Sequence, residues 1–268
     1  MPDAAEAAAA RPLAWARIAF AAVLIIRTTP LVRIIDPNIG AEVNPLLGWP
    51  QSDQFRAALF DFALPIGAVK ILCIVRTISA VVFLLGYRPM ASGIVIGVTG
   101  YAVVLQDVFG FTFTQHLLFV GAIALGLTDC AAVLSIRPER PKALRTSRYL
   151  IWTLVTSVYF WAACSKIRRD WFDGRTLELF RQDGKIRGHV ADILLGTATR
   201  RSVAGTAVVL VEFALIPLLW MPRTRWLGLA LALALHVSIE QVARPDVLGW
   251  AMIALLLSFV PAPRSAIG

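Results

Sequence analysis

Apolar residues run through this chain in long blocks, and polar residues gather in short stretches between them. A block of roughly 20 apolar residues is what a helix needs to cross the hydrocarbon core of a bilayer. The pattern predicts eight membrane helices: Leu13–Ile35, Ile66–Gly86, Ala91–Gln106, His116–Ile136, Tyr149–Lys166, Val203–Met221, Trp226–Val242 and Val247–Val260. The expected fold is all-α, a polytopic membrane helical bundle forming a single domain over residues 11–262 behind a disordered tail of residues 1–10. Between the fifth and sixth spans, Leu177–Leu195 alternates apolar and charged residues, as suits a helix lying along the outer membrane surface. Asp170, Trp171, Asp173 and Gly174 precede it as a tight turn, with Trp171 at headgroup level.

Composition supports the same class. Hydrophobic residues make up 58% of the 268 positions and charged residues 16%, and mean hydropathy is +0.71. The formal charge of +9 would suit nucleic acid, but most arginines flank apolar spans, where they serve as topology signals and lipid-phosphate contacts. No nucleic-acid partner is expected. Cys73, Cys130 and Cys164 lie in or beside apolar segments without a CxxC pair, which leaves no disulfide framework or zinc site. Asp3 and Glu6 precede the first basic residue, a poor start for a cleaved leader, so the first span is expected to be retained. The preference for alanine, and for arginine over lysine, fits a GC-rich bacterial genome.

The connections after the second, fourth and sixth helices (Tyr87-Arg-Pro89, Arg137–Arg148 and Pro222-Arg-Thr-Arg225) are basic, whereas Asp107–Gln115 has no basic residue. Basic loops stay inside, so both termini are expected in the cytoplasm of a bacterial cytoplasmic membrane. The arginine-rich segment Ile167–Ser202 is the exception, outside in this scheme; long segments weigh less in the rule. This orientation places Lys166, His116, His236 and Glu240 at one membrane level, toward the outer face.

Lys166 carries the sharpest signal. Of 26 basic residues only four are lysines, Lys70, Lys142, Lys166 and Lys185. Arginine holds its proton, whereas a desolvated lysine can release one and act as a base. Two readings of Lys166 stand: a side chain that snorkels to the headgroups, or a base whose neutral form is favoured by Arg168 and Arg169. His116 opens a helix and is either an interfacial hydrogen-bonded ring or an acid–base group. His236 and Glu240 share a helix face at i, i+4; two ligands fall short of a metal site, and none is expected. Glu212 lies mid-span and needs a partner, with Arg76, Arg17 and Arg27 as the expected cations and an interhelical clamp as the simplest role. His189 falls in the outer loop and is expected at the surface. Hydrolase, zincin and nucleotide-binding motifs are absent, and no inverted repeat marks a transporter.

Tyr159-Phe-Trp-Ala-Ala-Cys-Ser-Lys166 followed by Asp170-Trp171-Phe-Asp-Gly174 resembles the Y-F-x-A-G-x-x-K … D-W-x-x-G motif of HTTM proteins. That family is named for a horizontally transferred transmembrane domain and includes vitamin K-dependent gamma-carboxylase. Leu84–Arg88, His116-Leu-Leu-Phe, Glu212–Trp220 and Leu235–Gln241 extend the likeness over roughly residues 10–262. The resemblance implies that Lys166 deprotonates a vitamin K-like hydroquinone, with O2 and CO2 as co-reactants, and that His116 supports the chemistry. His236 is expected as a further catalytic residue, and Trp171, Tyr159, Glu240 and Gln241 are expected as cofactor-binding residues. The carboxylase also has a large extramembrane domain that recognises its protein substrate's propeptide, for which residues 1–268 show no counterpart. The function expected is a membrane-embedded enzyme, carboxylase-like lyase or quinol-dependent oxidoreductase, that carboxylates or oxidises a secreted peptide or small molecule. The alternative is a non-catalytic membrane maturation or scaffold partner in a peptide export or redox complex. Membrane lipid is a partner in either case.

Overall fold

The structure, a computed structural model, describes residues 4–28, 64–104, 113–139, 147–186, 188–242 and 247–261. Every regular element among them is helical: α1 (Ala4–Thr28), α2 (Ile66–Leu84), α3 (Pro89–Val104), α4 (Phe113–Gly126), α5 (Ser147–Ser165), the single turn α6 (Arg169–Phe172), α7 (Arg175–Gln182), α8 (His189–Leu195), α9 (Ala198–Trp220), α10 (Arg225–Val242), α11 (Val247–Leu256) and a closing 3-10 turn, Leu257–Phe259. Three are long and apolar enough to cross a membrane, over Glu6–Ile26, Gly67–Leu84 and Ala198–Trp220. Pro89–Val104, Phe113–Gly126 and Leu248–Phe259 are shorter apolar helices. The chain divides into two compact units, one within residues 4–139 and one over residues 148–261, a division that the single domain expected over 11–262 does not distinguish.

In the first unit α1 starts at Ala4, inside the stretch expected as a tail, and runs through Pro12. One face of it is wholly buried, with Ala14, Phe20, Ala21 and Leu24 at 0% exposure. Glycines on α3 let its backbone lie close against α4: a Cβ at Gly93 would sit 2.5 Å from the Ala122 carbonyl oxygen, and one at Gly100 would strike the Phe119 ring. Small residues are how membrane helices bring their backbones together, since lipid supplies no hydrophobic drive between them.

The fourth predicted span is shorter than its apolar run. α4 stops at Gly126 rather than Ile136, and residues 127–136 form turns. The Thr128 hydroxyl donates to the Leu125 carbonyl at 2.7 Å, a local bond that competes with helix continuation. Beyond it Cys130, Ala131 and Ala132 are buried in irregular backbone. That backbone is held by Ile136 N–H to Leu85 O at 3.0 Å and by the Arg17 guanidinium donating to the Leu134 carbonyl. Arg17 packs against Gly86, whose φ of +72° and lack of a side chain the turn after α2 requires.

In the second unit α9 packs along α10, α10 along α11, and the short helices α6, α7 and α8 lie against the first half of α9. Ile186, Ala191 and Leu195 form a small core there, covered by Leu177, Phe180, Ala204 and Val242. Leu177–Leu195, expected as one surface helix, is thus two short helices, the first ending in a turn at Asp183–Gly184. α5 is joined to the unit mainly by long side chains, Trp152, Tyr159 and Lys166, rather than by close backbone approach. That spacing leaves room for a cavity.

Candidate functional site

Lys166 follows the last residue of α5, its N–H bonded to the Ala163 carbonyl at 3.0 Å. Its side chain turns back along the helix. Nζ donates to Glu212 Oε1 at 2.7 Å, to Glu212 Oε2 at 2.9 Å and to the Ala162 carbonyl at 3.0 Å. An ammonium has three donors, and here all three are placed. The side chain of Lys166 is 20% exposed and that of Glu212 7%. This is a largely buried ion pair, not a snorkelling lysine. Glu212 sits mid-way along α9, so the pair ties the end of α5 to a candidate membrane span.

The partner of Glu212 is a correction to the sequence reading, which assigned it Arg76, Arg17 or Arg27. Arg17 and Arg76 lie in the first unit; Arg17 is bonded to Leu134, and Arg76 sits near the Cys73 sulfur and over the Phe119 ring. The expected influence of Arg168 and Arg169 on Lys166 is displaced too. Both are exposed, Arg168 donates to the Ser165 carbonyl at 3.0 Å, and the nearest ionic neighbour of the amine is the Glu212 carboxylate.

Trp171 completes the surroundings of the amine. Its ring centroid is 5.6 Å from Lys166 Nζ, within cation–π range. Its indole N–H donates to the Gly205 carbonyl at 2.9 Å, and a Cβ at Gly205 would sit 2.5 Å from the Trp171 carbonyl oxygen. The next turn is set by Gly174, whose φ of +77° starts α7, and by the Ser202 hydroxyl bonding the Phe172 carbonyl. So Asp170–Gly174 is the tight turn expected, and it presses Trp171 against α9.

A second polar couple lies two helical turns before Lys166. The Tyr159 hydroxyl and His236 Nε2 are 2.9 Å apart, with exposures of 2% and 6%. Tyr159 and Lys166 are seven residues apart and share a face of α5. Both couples border a cavity of about 1000 Å³, whose remaining walls are mostly apolar side chains from α5, α7, α8, α9, α10 and α11. Trp171, Glu240, Lys185 and Arg200 also line it. Lys166, His236, Tyr159, Trp171 and Glu240 are therefore brought together within one unit.

Two predicted residues fall elsewhere. Gln241 is exposed and is not part of the cavity wall, because one step along α10 from Glu240 turns it away. His116 belongs to the first unit, where Nδ1 is 2.6 Å from the Tyr101 hydroxyl and the two rings meet edge to face at 5.8 Å. Tyr101 was not foreseen, nor were Lys185 and Arg200 at the cavity or Gly205 under the Trp171 turn. The pairing of Lys166 with Glu212 had one trace in the sequence: a carboxylate within a membrane span needs a cation, and Lys166 ends a neighbouring span.

The described helices, three of them long and apolar enough to cross a membrane, make this an integral membrane protein, with a mostly apolar cavity served by two polar couples. The chain belongs to the family of the HTTM domain, whose family model matches residues 6–263. That domain is associated with vitamin K-dependent carboxylase-like membrane proteins, and the match spans both compact units. No curated protein and no solved structure matches the chain.

Proposed function

We propose that this protein is a membrane-embedded enzyme in which Lys166 serves as a base toward a reduced quinone, in order to carboxylate or oxidise a secreted peptide or small molecule. The observation that carries this reading is the Lys166–Glu212 pair bordering a mostly apolar cavity of about 1000 Å³. Apolar walls with a few convergent polar groups are what a lipid-soluble aromatic ligand requires. The cavity suits a quinone ring and part of its isoprenoid chain, with Trp171, Tyr159 and Glu240 as the residues to hold them. When bound, such a group supplies reducing equivalents and, with O2 and CO2, the carboxylation or oxidation chemistry.

The chain's own contribution is the control of one proton. Lys166 and Glu212 share it: moved from Nζ to a carboxylate oxygen, it leaves a neutral pair and frees the amine lone pair. Two separated charges are costly in an apolar setting, which narrows the gap between the ionic and neutral arrangements. The freed amine is then a general base for a hydroxyl in the cavity. Tyr159 and His236 offer a donor and an acceptor to a second polar group of the ligand. His116, paired with Tyr101 in the first unit, is the other acid–base candidate that the family resemblance implies. Eight spans with both termini in the cytoplasm put the Lys166 end of α5 toward the outer face, with α6–α8 as the surface segment there. A secreted substrate would approach from that side.

The same ion pair also favours a second reading. Lys166–Glu212 fastens α5 to α9, and a clamp is all that a non-catalytic scaffold partner would need. Mass spectrometry of peptides and small molecules secreted by the host strain, with and without the gene, separates the two. The enzyme reading expects a gene-dependent mass increase of one CO2 or one oxygen atom; identical secretomes would count against it.

A further inference from the structure

The other end of the second unit holds an arrangement that the proposed chemistry does not use. There the start of α5, the end of α9, the start of α10 and the 3-10 turn meet around Trp152, which is 3% exposed. Its indole stacks on Phe259 at 4.8 Å, with an interplanar angle of 10°, and donates to the Ser258 carbonyl at 3.1 Å. Two guanidinium groups converge on this one ring: Arg225 lies 4.4 Å from its centroid and Arg148 5.9 Å. Arg225 also donates to the Leu219 carbonyl at 3.1 Å and the Trp220 carbonyl at 3.2 Å, so it caps the last turn of α9.

No carboxylate answers these charges among the described residues. Ion pairs seen among the described residues of this unit lie elsewhere: Lys166–Glu212, Arg181–Asp192, Lys185–Asp183 and Arg201–Glu178. Two like charges drawn to one ring repel each other unless an anion lies within reach. Beside them Tyr149 and Trp220 stack at 5.9 Å with planes 6° apart, and are 44% and 37% exposed. Trp226, one residue past Arg225, is 61% exposed. Partly exposed tyrosine and tryptophan at the ends of apolar helices mark the headgroup level of a bilayer.

We propose that Arg148 and Arg225 form a clamp for the phosphate of an anionic phospholipid, with Tyr149, Trp152 and Trp220 as its aromatic shelf. Guanidinium groups bind phosphate through paired N–H donors, which a lysine ammonium does not reproduce. The shelf and the exposed apolar flank of α10, Trp226 and Leu227, favour a lipid over a soluble phosphate because they offer a surface to glycerol and acyl chains. None of the five clamp and shelf residues lines the Lys166 cavity, so the clamp stands or falls separately from the proposed reaction.

The test uses the purified full-length protein in detergent, with dioleoyl-phosphatidylglycerol, dioleoyl-phosphatidylcholine and inorganic phosphate as probes. Native mass spectrometry reads retained lipid, and thermal melting reads stabilisation. Phosphatidylglycerol should be retained and should raise the melting midpoint more than phosphatidylcholine. Arg148 makes no hydrogen bond or ion pair among the described residues, so Arg148→Gln removes only its contact with the Trp152 ring there and should weaken phosphatidylglycerol binding about fivefold. Arg225→Gln, which also strips the α9 cap, should weaken binding as well when scored per folded molecule. Equal retention of the two lipids, or Arg148→Gln binding phosphatidylglycerol like the wild type, would overturn the clamp. An equal shift with inorganic phosphate alone would overturn the lipid assignment and leave a soluble anion as the occupant.

Discussion

At the scale of single residues, the account turns on what surrounds one amine. Lys166 stood out in the sequence because lysine is rare here, but its nearest partner did not. The expected neighbours were the adjacent arginines; the observed one is Glu212, 46 positions away. Sequence spacing orders residues along one helix and gives no means of matching ends across two, which is why this pair was hidden while Tyr159 on α5 and Lys166 just past its end were legible. The pair is testable by stability alone. Lys166→Met and Glu212→Leu should each destabilise, since each leaves a buried group without its counterpart, and the double variant should be less impaired than their sum. A coupling of about 1–3 kcal/mol from melting in detergent is expected. Strict additivity would mean that the two groups do not interact.

At the scale of elements, the helices were largely visible in the apolar blocks and their ends were not. The run through Ile136 reads as one span, yet Thr128 and the buried turn beyond it end α4 at Gly126. Likewise the surface segment was read as one helix because alternation of apolar and charged residues says nothing about the break after Gln182. What decides such places is close packing. Gly205 is the clearest case: its missing side chain lets the Trp171 turn lie on α9. Gly205→Val should cost about 1–3 kcal/mol by forcing that contact apart, and should impair any function that needs Trp171 beside Lys166. Gly67→Ala, with nothing within 4 Å of the new Cβ, should leave the melting midpoint unchanged or slightly raised. Equal losses in both variants would remove the packing argument.

At the scale of the whole molecule, membrane class and family were readable because composition and one motif carry them. The division into two compact units was not, since apolar blocks look alike wherever they pack. Orientation can be tested through α9, whose 23 residues span about 34 Å, more than the ~30 Å hydrocarbon core. Cysteines introduced at Asp183 and Arg223, in a Cys164→Ser background, should label from opposite sides. A membrane-impermeant maleimide should reach Asp183→Cys in intact cells and Arg223→Cys only after permeabilisation. Labelling of both in intact cells would contradict the topology.

The most direct measurement compares Lys166→Arg with Lys166→Ala in the strain used for mass spectrometry. Arginine keeps the charge and can still pair with Glu212, but it cannot give up its proton. The account predicts that the gene-dependent mass increase disappears in both variants. Wild-type levels of product from Lys166→Arg would show that only a positive charge is needed at this position and would end the case for a base.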